Sequence, residues 1–268
     1  MGIRSKINGL KEIWKFDNRT YLAFSRLLFP SQTVQLYKYR NIEFLSDHGA
    51  GDANGAREVI TAGMYRDLLA QIRLSPIISV LDIGANNGGF PLLLKSEGYE
   101  IERLICVELN PNTFGRLEFN LRRNFNSRFT AINAAVAGKK GVIHLKLGIG
   151  GSSDNIYSSP DRVVGERYEL ETLTFDDVVA MTFGNSVVDI CKMDIEGAEF
   201  EIFESETAQS LTQVRFLLIE IHHDSSRNRT SLIQRINDLG FSEIDGDWKS
   251  GNAHFVHLFA NDRLSYDL

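Results

Sequence analysis

Lys192, Asp194 and Glu196 recur at every second position within residues 189–199, and Glu220 and His222 do the same at the end of residues 216–222. Both stretches are otherwise largely apolar, and short apolar runs of this kind read as buried strands. Side chains two apart on a strand share a face, so the lysine and its two acids point one way while Cys191, Met193 and Ile195 point the other. Charges in such a run are costly to bury unless they pair or bind something. Glu199, in the turn that follows, adds further negative charge. A histidine beside an acid at the carboxyl end of a strand has the chemistry of a general base near neutral pH. His222 is that histidine, with Glu220 or Asp194 to orient it, while His223 is expected to face away.

A third cluster lies upstream, where residues 80–90 read Val-Leu-Asp-Ile-Gly-Ala-Asn-Asn-Gly-Gly-Phe. An apolar run, an acid, glycines and then a helix-like pattern near Pro91 predict a strand, a tight turn and a helix, with a backbone that a ligand can approach closely. A dinucleotide site would need G-x-G-x-x-G. Here the pattern is Asp-x-Gly-x-x-x-Gly, which lacks the middle glycine and sets Asp82 two residues before Gly84. That arrangement suits a cationic or zwitterionic ligand better than a pyrophosphate. S-adenosylmethionine, which carries an ammonium and a sulfonium, fits the description. Glu108 ends the next apolar run and is placed to accept hydrogen bonds from both hydroxyls of a ribose. An acid there serves dinucleotides as well, so Glu108 does not separate the two cofactors.

The elements that must position these groups alternate. Strands are expected at residues 77–83, 104–108, within 129–136, at 187–195 and 216–221, with helices between them near 91–97, 110–121 and 197–205. Thr174 with Asp177 has the form of a capping box opening a further helix. Residues 141–147 and 167–173 look like an antiparallel β insertion around a polar loop, and two closing strands fall near 241–244 and 254–259. Such alternation predicts an α/β doubly wound, mostly parallel seven-stranded sheet, Rossmann-like, over residues 57–268. Ligands bind such sheets beyond the carboxyl ends of the strands, where the polar residues collect. Residues 1–56 differ in texture. Leu10, Ile13, Trp14, Tyr21, Phe24, Leu27 and Leu28 suggest amphipathic helices stopped at Pro30, expected to cap the pocket, to form a homodimer contact or simply to pack. A helix is also expected through Ile60, Met64, Leu68 and Ile72. Residues 47–55 and 148–155 have lid-like composition.

Composition excludes several classes. The 268 residues suffice for one large domain or a domain with a cap. A formal charge of −6 argues against broad nucleic-acid binding, and no apolar run approaches a membrane span, so no integral membrane association is expected. Cys106 and Cys191 lack metal-type spacing and read as buried, reduced thiols of a cytoplasmic protein.

Residues 81–88, 108–111, 172–177, 192–199 and 220–222 together resemble the FkbM family of S-adenosylmethionine-dependent methyltransferases, with Lys192-Met193-Asp194-Ile195-Glu196-Gly197-Ala198-Glu199 the most specific segment. The resemblance covers about residues 77–245 and implies a class I methyltransferase fold and O-methylation of hydroxyls on polyketides, glycans or other secondary metabolites. On this reading Asp82, Gly84, Ala85, Asn86 and Gly88 hold the methionine part of the cofactor together with Asp194, Glu108 the ribose and Asn133 the adenine. His222, Asp194, Glu220 and Lys192 form the catalytic set, and Glu196 and His222 face the acceptor. A rival arrangement places Asp194, Glu196, Glu220 and His222 around Mg²⁺ or Mn²⁺, hard cations that favour oxygen ligands. An Asn/Asp-Pro-Pro-aromatic segment, usual for N-methylation, is absent after residue 194. A nicotinamide-dependent oxidoreductase and a non-catalytic cofactor-binding protein are the competing classes.

Overall fold

A computed structural model describes residues 12–50, 55–147, 166–195, 197–206, 208–222, 228–250 and 254–264. Glu196, His223 and most of the two lid-like loops lie outside the described residues.

The chain opens with helix α1 (Arg19–Leu28) and a hairpin of β1 (Val34–Tyr39) and β2 (Ile42–Asp47), then two short helices, α2 (Ala56–Thr61) and α3 (Met64–Leu69). Alternation follows as β3 (Ile77–Ile83), α4 (Gly89–Ser96), β4 (Glu100–Val107), α5 (Pro111–Phe125), β5 (Thr130–Ile132) and β6 (Ala135–Val136). Then come β7 (Gly141–Leu147), β8 (Glu166–Leu173), α6 (Phe175–Thr182), β9 (Val188–Met193), α7 (Glu199–Glu204), β10 (Val214–Ile221), α8 (Arg229–Asp238), β11 (Phe241–Ser250) and β12 (His254–Asn261).

Seven strands form the main sheet in the order β11-β12-β10-β9-β3-β4-β5. Strands β5, β4, β3, β9 and β10 pair in parallel, and only β12 runs against its neighbours. The central strands are buried on both faces, which is why they read as continuous apolar runs. Their side chains alternate between two cores: Val80, Ile190 and Leu218 enter one with α3, α4 and α5, while Leu81, Cys191 and Leu217 enter the other with α6 and α8. The order reverses at β3, whose neighbours β4 and β9 lead away to opposite edges. That reversal opens the crevice in which ligands of such sheets sit.

Helix starts follow local chemistry. Asn110 caps α5 by accepting from Asn112 N at 2.9 Å, with Pro111 in the first turn. Thr174 and Asp177 bond reciprocally at the start of α6, as the capping box requires.

Three local expectations change. The segment expected as one helix through Ile60 and Ile72 is two, because Ala62 is extended (ψ 151°) ahead of the poor helix former Gly63. The strand sought within 129–136 splits at Asn133 into β5 in the main sheet and β6 in a small sheet with β8 and β7. The N-terminal segment contains a hairpin as well as helix. That hairpin is bound to the sheet by asparagines. Asn120 on α5 accepts from Leu45 N at 2.7 Å and donates to Leu45 O and Asn87 O, and Asn124 brackets Glu43 in the same way. Side-chain amides thus satisfy backbone groups on the edge of β2 that would otherwise be buried without partners.

Candidate active site

The turn after β3 is held in an unusual conformation. Gly84, Asn86 and Gly88 all have positive φ (77°, 49° and 91°). A Cβ on Gly84 would lie 1.7 Å from the carbonyl oxygen of Asp194, so the glycine is required by close approach of the two strand ends. Every N–H of the turn has a protein acceptor. Gly84 N and Ala85 N donate to Val107 O (3.0 and 2.9 Å), Gly88 N donates to Ala85 O (2.8 Å), and Asn87 N donates to the Asn86 side chain (2.7 Å). Asn86 N donates to Glu108 Oε2 at 2.9 Å. A pyrophosphate cradle needs such groups directed at the ligand; residues 84–88 direct none outward.

Acids surround the turn instead. Asp82 is fully buried, and neither of its oxygens has a hydrogen-bond partner within normal geometry among the described residues. Lys192, beside it in the parallel register, reaches Asp82 Oδ1 at 3.5 Å and Asp194 Oδ2 at 3.3 Å, and donates to Gly84 O at 3.0 Å. Burial pushes the Asp82 carboxyl up to about 6, partly countered by Lys192. Burial opposes the charge of Lys192 as well, but Asp194 and Asp82 outweigh it and raise its pKa. The lysine therefore clamps the glycine turn to the ends of β3 and β9. Asp82 has no surface open to a ligand in this conformation, so it faces Lys192 rather than the cleft.

The reactive groups sit one strand over. His222 is nearly buried, and its Nδ1 lies 2.9 Å from Glu199 Oε1. Its Nε2 lies 3.6 Å from Asp194 Oδ1 and 3.7 Å from Glu220 Oε1, distances beyond good hydrogen bonds. Glu199 also accepts from Ile195 N at 3.2 Å, tying the first turn of α7 to the strand end. The carboxylate nearest His222 is thus Glu199, with the expected Asp194 and Glu220 farther off on the other ring nitrogen. A carboxylate against Nδ1 favours the proton on that nitrogen, and Nε2 is the ring atom nearer to Asp194 and Glu220.

Glu108 and Asn133 are drawn together. Asn133 donates both amide hydrogens to Glu108 O and Leu109 O (2.8 and 3.0 Å), and Glu108 Oε1 accepts from Asn110 N at 2.7 Å. Asn133 therefore supports the turn that presents Glu108. Tyr65 on α3 escaped the sequence reading. It is buried against Phe90, and its hydroxyl, which has no hydrogen-bond partner among the described residues, lies within electrostatic reach of Lys192, Asp194, Glu220 and Asp82. Burial keeps it a neutral phenol. No motif marks it; only the fold of α3 over the strand ends brings it there.

S-adenosylmethionine fits this donor set. Four carboxylates stand against one lysine around the turn and cleft (Asp82, Asp194, Glu199 and Glu220 against Lys192), which favours a cation, and Glu108 keeps acceptor capacity for a diol.

Residues 82–243 match the family model described as the methyltransferase FkbM domain. Among solved structures, the chain resembles methyltransferase FkbM from Methylobacillus flagellatus KT, at 18% identity and a TM-score of 0.49 over 72% of this chain. The chain spans only 45% of that protein's length. It also resembles TrmK from M. capricolum in complex with S-adenosyl-homocysteine (8% identity, TM-score 0.45, 76% of this chain and 70% of that one). Trm5b from Pyrococcus abyssi is similar at 12% identity and a TM-score of 0.48, over 85% of this chain and 56% of that one. No curated protein matches the chain by sequence.

Proposed function

We propose that this chain, which belongs to the FkbM methyltransferase family, is an S-adenosylmethionine-dependent methyltransferase that methylates a hydroxyl of a small molecule or glycan: a sugar, polyketide or other secondary metabolite. The cofactor supplies an electrophilic methyl on a sulfonium. An alcohol must lose a proton to attack it, and the Glu199–His222 pair carries this reading, because it sets an imidazole with a carboxylate at its Nδ1 at the carboxyl end of β10, where such sheets bind their ligands. His222 takes the proton from the acceptor hydroxyl, Glu199 stabilises the resulting imidazolium, and Asp194 and Glu220 orient the acceptor. General-base help of this kind contributes about 10²–10⁴-fold, and positioning of the two substrates up to roughly 7–11 kcal/mol. Lys192 and Asp82 support the turn, with Gly84, Ala85, Asn86, Gly88 and Asp194 around the methionine part, Glu108 at the ribose and Asn133 at the adenine. The formal charge of −6 supports a small acceptor over a nucleic acid.

A second reading uses a divalent cation such as Mg²⁺. Asp194, Glu220 and His222 each offer one donor atom, all within 4.8 Å of one another, and a metal-bound histidine commonly has a carboxylate on its other nitrogen, as Glu199 is here. The cation would lower the acceptor's pKa in place of a base. Transfer of labelled methyl to a panel of hydroxylated acceptors, before and after exhaustive EDTA treatment, separates the two. Transfer to a hydroxyl that survives EDTA supports the base; transfer lost with EDTA and restored by Mg²⁺ supports the cation. Label found only on nitrogen or on RNA overturns both.

A further inference from the structure

Helix α1 is built the wrong way round for a globular surface. Its inner side is slight, with Leu22 and Ser25 the only residues of the helix that are buried. Its outer side and the flanking turns expose Trp14, Tyr21, Phe24, Leu27, Leu28 and Phe29, each between 51% and 75% accessible. Tyr21, Phe24 and Leu28 share one helical face, so the patch is continuous and convex. Monomeric proteins rarely leave such a surface uncovered without use.

Charge selects the occupant. Residues 1–29 contain six lysines and arginines against two acids, a local charge of +4, whereas the whole chain carries −6; residues 30–268 therefore hold −10. The apolar patch thus belongs to a basic segment of an acidic chain, with Arg19 stacked over Trp14 at 5.6 Å. Two copies meeting on this face would bring two basic segments together. An anionic surface with an apolar interior would instead attract this segment and repel the rest.

We infer that α1 and its flanking residues form a docking face for an anionic lipid surface, with Tyr21, Phe24, Leu27 and Leu28 entering the headgroup boundary beside Lys15 and Arg19. Aromatic and leucine side chains edged by lysine and arginine are what such interfacial helices present. The attraction weakens with salt, because it acts over about a Debye length.

The test is co-sedimentation of the full chain with unilamellar vesicles of phosphatidylglycerol and phosphatidylcholine in equal parts, and of phosphatidylcholine alone. The wild type is expected to bind the anionic vesicles at least about tenfold better at low salt. The F24E/L27E variant, altered at two exposed positions, is expected to lose that binding while keeping its affinity for S-adenosylhomocysteine. Equal binding by the variant overturns the inference, as does absence of wild-type binding. So does a wild-type dimer in analytical ultracentrifugation that F24E/L27E abolishes without any vesicle binding.

Discussion

Glu199 Oε1 lies 2.9 Å from His222 Nδ1, and both side chains are almost sealed from solvent. The pair joins the first turn of α7 to the end of β10 and holds one imidazole between them. Glu199→Gln keeps the shape and removes the charge. Turnover is expected to fall at least about tenfold with the affinity for S-adenosylhomocysteine unchanged, within the range general-base assistance spans. Stopped assays paired with calorimetry check it; an equal loss in both would assign Glu199 to folding instead.

Lys192 sits between Asp82 and Asp194 with almost no exposure. Removing it as Lys192→Met leaves Asp82 buried without a counter-ion, and breaking such a pair costs about 3–5 kcal/mol. The double variant with Asp82→Asn removes both partners and is expected to recover part of the loss. Urea denaturation of the two singles and the double gives the coupling; strict additivity would mean that the ion pair does not exist in solution.

The glycines of the turn are not equivalent. Gly84→Ala drives a Cβ into the Asp194 carbonyl at 1.7 Å, whereas the nearest atom to a Cβ on Gly88 is a leucine methyl, Leu117 Cδ1, at 3.1 Å. The first is expected to cost more than about 4 kcal/mol or to prevent folding, a value reserved for severe core damage. The second costs about 1–2 kcal/mol for its left-handed backbone. Thermal and urea unfolding of the purified variants measures both.

Two groups, one half-buried and one fully buried, pull stability in opposite directions with pH. His48 lies among Arg26, Arg57 and Tyr37, and burial followed by those arginines lowers its pKa to about 4. Its folded value is below the ordinary 6.5, so its contribution is complete above about pH 6.5 and is lost as the pH falls toward 4. Asp82 is raised to about 6 from 3.8, so its contribution is present below 3.8 and is lost as the pH rises through 6. The urea midpoint of wild type minus that of His48→Gln is therefore expected to rise between pH 5 and 7. A flat difference would contradict the placement of a half-buried His48 between Arg26 and Arg57.

The central sheet was legible because buried parallel strands are written as unbroken apolar runs, and Val80–Leu81 or Ile190–Cys191 have no other reading of comparable length. The carboxyl-end residues Asp194, Glu220 and His222 follow from strand period alone, and the structure gathers them within one cluster. The β1–β2 hairpin was hidden because Arg40, not glycine or asparagine, takes the positive φ of 49° at its turn. Glu199 was read only as added charge, since its return onto β10 depends on how α7 docks. Asp82 looks like a ligand contact in sequence, yet burial sets it against Lys192, and Asn133 spends its amide hydrogens on the backbone oxygens of Glu108 and Leu109. Pairing between distant elements decides such roles, and periodicity carries no trace of it.

The base assignment is tested most directly by His222→Gln saturated with S-adenosylmethionine and a hydroxyl acceptor, in metal-free buffer, followed as a single turnover. The account predicts methyl transfer slowed at least about a hundredfold, with the affinity for S-adenosylhomocysteine within twofold or so of the wild type. A variant that binds cofactor and transfers methyl at the wild-type rate would contradict it.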